Sequence, residues 1–196
     1  MKNFRFKKQK SFTLVEMLTV VFLSLVIVVA SYSLYVMSYR SYQHNSASAE
    51  LTQNARIALE RFSRDVRQAI EILNNLPEDP SETTPPSEIK FQDGHNFWPP
   101  ANGKIQYITY YLSGTDLYRK ISHYAFPTSP DDWVLWSTLD DSGQPPTEYT
   151  DLDQIKAQNI SQLRFWGKNI ITVRMSVSDG SSTYTFETKA TARNIQ

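Results

Sequence analysis

The sequence predicts an α+β protein in which one long N-terminal helix packs on a C-terminal antiparallel β-sheet domain. The chain has six glycines and ten prolines, yet no proline occurs before Pro77 and no glycine before Gly94. Apolar residues recur at helical spacing as far as Leu73, and they alternate with polar residues near the C-terminus. With 196 residues, the chain has room for one modest core.

The front of the predicted helix is apolar enough to cross a membrane. Residues 17–39 carry no charge, and as a helix they span roughly 30 Å or slightly more, the thickness of the hydrocarbon layer. All five charges of residues 1–11 are positive. Because basic flanks stay in the cytoplasm, we expect a single pass with Met1 inside and the later residues outside.

Glu16 lies at the front of this apolar run, where placing an ionised carboxylate in hydrocarbon costs free energy. One alternative is a secretory signal peptide, but its apolar core has about 7–15 residues and carries no acid. A second alternative is an ordinary membrane anchor in which Glu16 sits at the lipid–water interface. The residues around Glu16 favour a third interpretation.

The stretch "SFTLVEM" (residues 11–17), between a basic leader and a long apolar helix, resembles the processing site of type IV pilin-like proteins. These include pilins and the pseudopilins of type II secretion and competence. The resemblance implies that a membrane peptidase removes leader residues 1–11 by cutting between Ser11 and Phe12, and then methylates the Phe12 amine. The family usually has Gly before the cut. Because Ser11 is also small, we expect slower cleavage rather than none.

Cleavage would create a cationic amine at Phe12, which offers a partner to Glu16. A buried charge is tolerated when it is paired, and Glu16 lies one helical turn beyond Phe12. Its own amine is therefore one candidate. In the family the partner is the amine of a neighbouring subunit, and this pairing sets the register of the fibre. The resemblance thus implies that Glu16 is an assembly residue.

Beyond the membrane segment 12–39, we predict that the helix continues as an amphipathic segment over residues 40–73. Residues 38–50 are polar and small, which fits either a solvated connector or close packing against other helices. Three opposite-charge pairs lie on the other faces: Arg56/Glu60, Glu60/Arg64 and Arg61/Asp65. One face carries an apolar stripe: Leu51, Ala55, Ala58, Phe62, Val66, Ala69 and Leu73.

The remaining chain predicts a proline-rich loop over 74–103, with a short strand near 89–91, and an antiparallel β domain over 104–196. The turns "SGTD" (113–116), "GKN" (167–169) and "SDGSS" (178–182) separate the predicted strands. In the strand after "GKN", apolar residues alternate with polar ones, which is the pattern of a half-buried strand. The apolar stripe of the helix is the expected cover for these strands.

Residues 55–73 and 159–194 resemble the J-type minor pseudopilins of type II secretion and the related W-type minor pilins. This resemblance implies a minor subunit near the tip of a fibre. Its partners would be other pilin or pseudopilin subunits, the prepilin peptidase/methyltransferase and the inner-membrane assembly platform.

No catalytic motif, phosphate loop or metal-ligand spacing occurs, and the chain has no cysteine. We therefore predict no catalytic residue, no cofactor and no metal. The acid pairs Asp131/Asp132, Asp140/Asp141 and Asp151/Asp153 raise the alternative of a calcium loop. They match no ligand pattern, so we predict solvated turns. Each histidine is isolated: His44 is predicted to be a solvated polar residue, and His95 and His123, beside aromatic residues, are predicted to be packing or surface residues rather than ligands.

Charge disfavours nucleic acid as a partner, because residues 77–153 hold 13 acidic and 4 basic side chains. The predicted function is that of a structural minor pilin or pseudopilin, anchored in the cytoplasmic membrane with its outer domain periplasmic or extracellular. One alternative is a competence or adhesion subunit whose outer domain binds DNA or a surface. Residues 154–196, with six basic and two acidic side chains, leave that alternative open. A membrane-tethered enzyme is the remaining alternative.

Overall fold

In a computed structural model of the chain, residues 13–81, 83–94 and 104–192 are described. Two compact units are present, Met1–Ser46 and Ala47–Gln196. The elements are one helix, α1, and nine strands. Their bounds are α1 Leu14–Gln68, β1 Glu71–Ile72, β2 Glu88–Gln92, β3 Tyr107–Ser113, β4 Asp116–Phe126, β5 Ser129–Val134, β6 Thr147–Ala157, β7 Ile160–Trp166, β8 Ile170–Ser178 and β9 Thr183–Thr191.

The strands form two antiparallel sheets. The first has the order β1-β2-β3-β4-β5, with β6 pairing to β4, and the second has the order β7-β8-β9. The three predicted turns connect β3 to β4, β7 to β8 and β8 to β9, and the predicted short strand near residues 89–91 is β2. The α+β class and these hairpins are confirmed.

Helix α1 and both sheets share one core within the Ala47–Gln196 unit. Six of the seven predicted stripe residues are buried, and Leu73 is half-buried. Phe62 connects the layers, because its ring meets Tyr110 of the first sheet edge-on at 5.3 Å and Phe165 of the second sheet at 5.4 Å. Aromatic contacts of this kind add to the stabilisation from burial alone. The helix therefore covers the apolar faces of the two sheets, as predicted.

The predicted end of the helix at Leu73 is wrong, because α1 ends at Gln68. The backbone NH of Ile70 donates to Gln92 O at 3.1 Å, and that of Leu73 donates to Lys90 O at 2.9 Å. These donors bond to β2 instead of extending the helical ladder. Ile70 and Ile72 are β-branched and favour the strand conformation. The first sheet consequently begins well before residue 104, where the β domain was predicted to start.

Two strands were not predicted, β5 and β6. Ten of the eleven residues of β6 are exposed or half-exposed without a regular alternation, because the strand pairs with β4 on one side only. An edge strand of this kind lacks the apolar periodicity on which prediction from sequence depends. Only the pairing partner β4 determines where β6 lies.

Gly167, in the turn between β7 and β8, requires a glycine. Its φ is +107°, and a Cβ there would lie 2.0 Å from the carbonyl oxygen of Ile170. We expect Gly167→Ala to lower the free energy of unfolding by about 3 kcal/mol. Gly114→Ala is the matched control, because its φ is +61° with open space around it, and about 1 kcal/mol is expected. Thermal unfolding of the detergent-solubilised chain measures both. Equal losses would contradict the role of the carbonyl contact.

Candidate functional site

The first turn of α1 holds the carboxylate of Glu16 in a closed hydrogen-bond pattern. Glu16 Oε2 accepts hydrogen bonds from the backbone NH and the hydroxyl of Thr13, both at 2.9 Å. In return, Thr13 Oγ1 accepts from the backbone NH of Glu16 at 3.3 Å. This is a capping box with Thr13 as the N-cap, and it satisfies donors that the start of a helix leaves open.

The capping box gives Glu16 a hydrogen-bond partner within its own chain, which the sequence analysis missed. The signal was present, because Thr13 and Glu16 have the T-x-x-E spacing that precedes an apolar helix. Both Thr13 donors are neutral. The box therefore satisfies hydrogen bonds of the carboxylate without neutralising its charge, and a cationic partner can still act on it.

The helix segment behind Glu16 has an apolar surface that is largely exposed among the described residues. Apart from Val36, its large apolar side chains from Leu14 to Tyr39 are half or more exposed. Within the described residues, α1 is the one helix long and apolar enough to cross a membrane. This surface suggests a membrane-anchored protein. The predicted cleavage position, Ser11 and Phe12, lies outside the described residues.

A second polar centre is buried in the Ala47–Gln196 unit. Asp65 Oδ2 accepts from Arg119 Nε at 2.6 Å and from the Tyr110 hydroxyl at 2.8 Å, and all three residues are buried. Burial alone would lower the pKa of Arg119, but Asp65 and Tyr110 outweigh it and raise that pKa above its ordinary value. Burial and then Asp65 raise the pKa of Tyr110. The centre is an ion pair with its hydrogen bonds satisfied, and it ties α1 to the first sheet.

The prediction that Asp65 lies on a face away from the apolar stripe is wrong, because Asp65 is buried. Asp65 follows Phe62 by three residues and precedes Val66, so it lies inside the apolar stripe. That position was the available signal. Of the three predicted charge pairs on α1, the structure forms Arg61–Asp65, at 3.4 Å. The residues of the other two pairs, Arg56/Glu60 and Glu60/Arg64, are not in salt-bridge contact among the described residues.

A third charged cluster lies on the first sheet. Glu148 of β6 contacts Lys90 Nζ at 2.7 Å and Lys120 Nζ at 3.0 Å, and Lys90 also donates to the Tyr124 hydroxyl at 2.6 Å. Burial raises the pKa of Glu148, but hydrogen bonds from Lys90, Ser122 and Lys120 outweigh this and lower the pKa to about 2. The cluster holds three strands of the sheet together.

This cluster predicts a pH dependence of stability. The folded pKa of Glu148, about 2, lies below its ordinary value of 4.5, so its stabilisation is present above pH 4.5 and is lost as the pH falls towards 2. We expect the unfolding temperature of the wild type to fall across that window. It should fall less for Glu148→Gln, which cannot titrate. The control Glu50→Gln removes an exposed carboxylate of α1 outside the cluster, and its profile should stay close to that of the wild type. Equal slopes for wild type and Glu148→Gln would contradict the assignment.

The three acid pairs do not all lie in turns, so that prediction is wrong for two of them. Asp131 and Asp132 are on β5, and Asp151 and Asp153 are on β6. The pair at residues 140–141 does lie in a turn, where Asp140 Oδ1 accepts from two backbone NH groups at 2.8 Å. No group of three His, Cys, Asp or Glu residues that could hold a metal occurs in the described ranges.

The isolated histidines differ in their surroundings. His123 is buried, with Nδ1 at 2.9 Å from Asp151 and its ring stacked 4.2 Å from the Trp133 ring. It is therefore a packed residue of the sheet. His44 lies exposed on α1, and His95 is outside the described residues.

Comparison with known proteins adds one match, at the N-terminus. Residues 6–32 match the family described as "Prokaryotic N-terminal methylation motif". No curated protein matches the chain. The matched residues include Glu16 and its capping partner Thr13, together with the front of the apolar helix. The methylation motif and the long apolar helix therefore support placing this chain among the type IV pilin-like proteins.

Proposed function

We propose that this protein is a structural subunit of a type IV pilus or a type II secretion pseudopilus. Prepilin peptidase removes residues 1–11 by cutting between Ser11 and Phe12, and Phe12 becomes N-methylated. Residues 12–39 anchor the chain in the cytoplasmic membrane, with the N-terminus in the cytoplasm. The observation that carries the proposal is the methylation motif over residues 6–32.

Within the fibre, we assign Glu16 the role of assembly residue. Its capping box with Thr13 leaves its negative charge without a counter-charge. The methylated amine of a neighbouring subunit supplies that counter-charge once the apolar segments have packed together. A charge in an apolar surrounding is stabilised strongly by an opposite charge, so the pairing fixes the axial register.

We further propose that the subunit is a minor one, assembling near the fibre tip with other subunits on the inner-membrane platform. The resemblance of residues 55–73 and 159–194 to J- and W-type minor subunits supports this. Its task is mechanical, and the buried Asp65–Arg119 pair serves it by tying the helix to the sheet. The described residues supply no metal cage, and the acid pairs bond within the protein or lie exposed.

The alternative of a subunit that binds DNA through its basic C-terminal region gains no support. Arg174 pairs with Glu187 at 2.8 Å, and Lys168 lies 3.5 Å from Glu78. Lys156 donates to Gln154 at 2.6 Å. These side chains contact their own protein, and they do not form the free basic stripe that phosphate binding requires.

The intact mass of the protein recovered from cells that contain a prepilin peptidase tests the proposal. We expect 185 of the 196 residues to remain, beginning at Phe12 and carrying one methyl group. Ser11→Gly, which restores the usual residue before the cut, should give at least as much processed protein. A bulky residue in Ser11→Trp should block processing. Recovery of the wild type with its leader intact, while Ser11→Gly is also uncut, would refute the proposal.

A further inference from the structure

The exposed side of α1 in the Ala47–Gln196 unit carries three arginines and one carboxylate, which leaves it with a positive net charge. Ile57, Glu60, Arg64 and Arg67 recur at spacings of three and four, which places them on one stripe, with Arg56 beside it. We call these five residues the arginine face. All are exposed, and Ile57 is 55% exposed. Within the described chain, Arg56, Arg64 and Arg67 form no salt bridge.

A second exposed surface of the same unit has the opposite charge. Asp131, Asp132 and Asp141 are exposed on β5 and in the loop that follows it. Between them lie three large apolar side chains: Leu135, Trp136 and Leu139, exposed by 42%, 40% and 61%. We call residues 131–141 the acidic-apolar segment. It contains no lysine or arginine.

The acidic-apolar segment is held in a defined conformation. The backbone NH of Trp136 donates to the Tyr107 hydroxyl at 3.0 Å, and its indole NH donates to Glu71 at 3.3 Å. The backbone NH of Thr138 donates to Leu135 O at 3.0 Å, and that of Asp140 donates to Gln144 O at 3.0 Å. A loop fixed in this way loses little conformational freedom on binding, and an exposed tryptophan is a frequent anchor of protein interfaces.

We propose that the arginine face of one copy of this chain docks on the acidic-apolar segment of a second copy. The two surfaces match in charge, and each places apolar side chains among its charged ones. Charge complementarity of this kind selects the partner and the register. Glu60 and Ile57 within the arginine face fit a protein surface better than a phosphate backbone, which offers neither a cation nor apolar contact.

The contact joins two different surfaces, so in a pair one copy keeps its acidic-apolar segment free and the other keeps its arginine face free, and a further copy can bind at either. Such a heterologous contact does not close on itself unless the rotation forms a ring, and it otherwise builds an open filament. The inference rests on the proposed fibre function and adds that copies of this chain are neighbours. A short run of copies near the tip satisfies this requirement.

The absence of cysteine from the sequence makes a disulfide test specific. Full-length Ile57→Cys/Leu139→Cys protein is expressed in its host with the assembly machinery and then oxidised. We expect a ladder of dimers and higher species, because every copy carries both halves of the contact. Each single variant should stop at the dimer at most. The matched control Ile57→Cys/Ile170→Cys should give no ladder, since Ile170 is 52% exposed but lies outside the segment.

Charge reversal separates a specific contact from random collision. In the double-cysteine background, Arg64→Glu should lower the cross-linked yield about fivefold, and Asp132→Arg should do the same. Combining the two reversals should restore the yield, which structural damage to either surface could not do. Failure of the combination to restore the yield would overturn the inference.

The intact mass of the same sample distinguishes the two possible failures. If the leader is retained, the proposed function has failed. If the protein is trimmed, methylated and present in the fibre but gives no ladder above the Ile170 control, only the inference has failed. Cross-linking solely to a different protein would also overturn it, as would loss of the ladder after nuclease treatment.

Discussion

Replacing Asp65 by alanine is expected to lower the free energy of unfolding by about 3–5 kcal/mol. The side chains of Asp65 and Arg119 are 6% and 7% exposed, and their closest atoms are 2.6 Å apart. Removing the carboxylate leaves a guanidinium in the core without a counter-charge. The Tyr110 hydroxyl loses its acceptor in the same step. The free-energy cost of leaving one buried charge unpaired is larger than the net stabilisation that the intact pair provides. The loss of stability should therefore be large.

Thermal or denaturant unfolding of the detergent-solubilised chain measures this loss. Arg61→Ala is the matched control, because Arg61 contacts the same carboxylate at 3.4 Å but is 47% exposed, and less than about 1 kcal/mol is expected. The combination Asp65→Leu, Arg119→Met and Tyr110→Phe removes every charge and hydroxyl of the centre, and it should recover most of the stability. A loss for Asp65→Ala no larger than that for Arg61→Ala would contradict the prediction.

Glu16→Gln and Glu16→Ala should both reduce incorporation into the fibre by at least about tenfold, while membrane insertion is unchanged. The two variants differ in one respect. Glutamine can still accept the hydrogen bonds of the Thr13 capping box, whereas alanine cannot. If the charge of Glu16 pairs with a neighbouring amine, both variants fail equally.

Incorporation is measured as the ratio of subunit in sheared fibres to subunit in membranes. Thr13→Val is the complementary control, because it removes the hydroxyl of the capping box and retains the carboxylate. It should cost about 1 kcal/mol of helix stability and leave incorporation largely intact. Normal incorporation of Glu16→Gln, together with failure of Glu16→Ala and Thr13→Val, would show that the cap and not the charge is the functional feature.

The two carboxylates of α1 illustrate one physical rule in two surroundings. Asp65 lies in a protein core, and its counter-charge comes from β4 of the same chain. Glu16 lies on an apolar surface of α1, and among the described residues its donors are the neutral groups of Thr13. Assembly with a neighbouring subunit is the process that can supply a counter-charge to Glu16. Under the proposed function, a folded domain and a fibre both stabilise a buried charge by placing an opposite charge beside it.

The sequence by itself determined the class of fold, the long helix, its apolar stripe and the hairpins around residues 113–116 and 167–169. Each depends on a local signal: the lack of helix breakers, a helical or strand periodicity, or a glycine turn. The candidate site is equally local, because the motif around Glu16 occupies one helical turn. The N-terminal methylation match over residues 6–32 is consistent with that.

Tertiary structure alone decided the end of the helix, the position of β6 and the environment of Asp65. In each case a distant segment supplies the partner: β2 accepts the backbone NH groups of Ile70 and Leu73, β4 pairs with β6, and Arg119 binds Asp65. The free energy of these contacts depends on residues 17–54 positions away in the chain, so no local pattern encodes it. Intrinsic propensity limits which secondary structures a segment can adopt, and the partner that packs against the segment determines which of them it adopts.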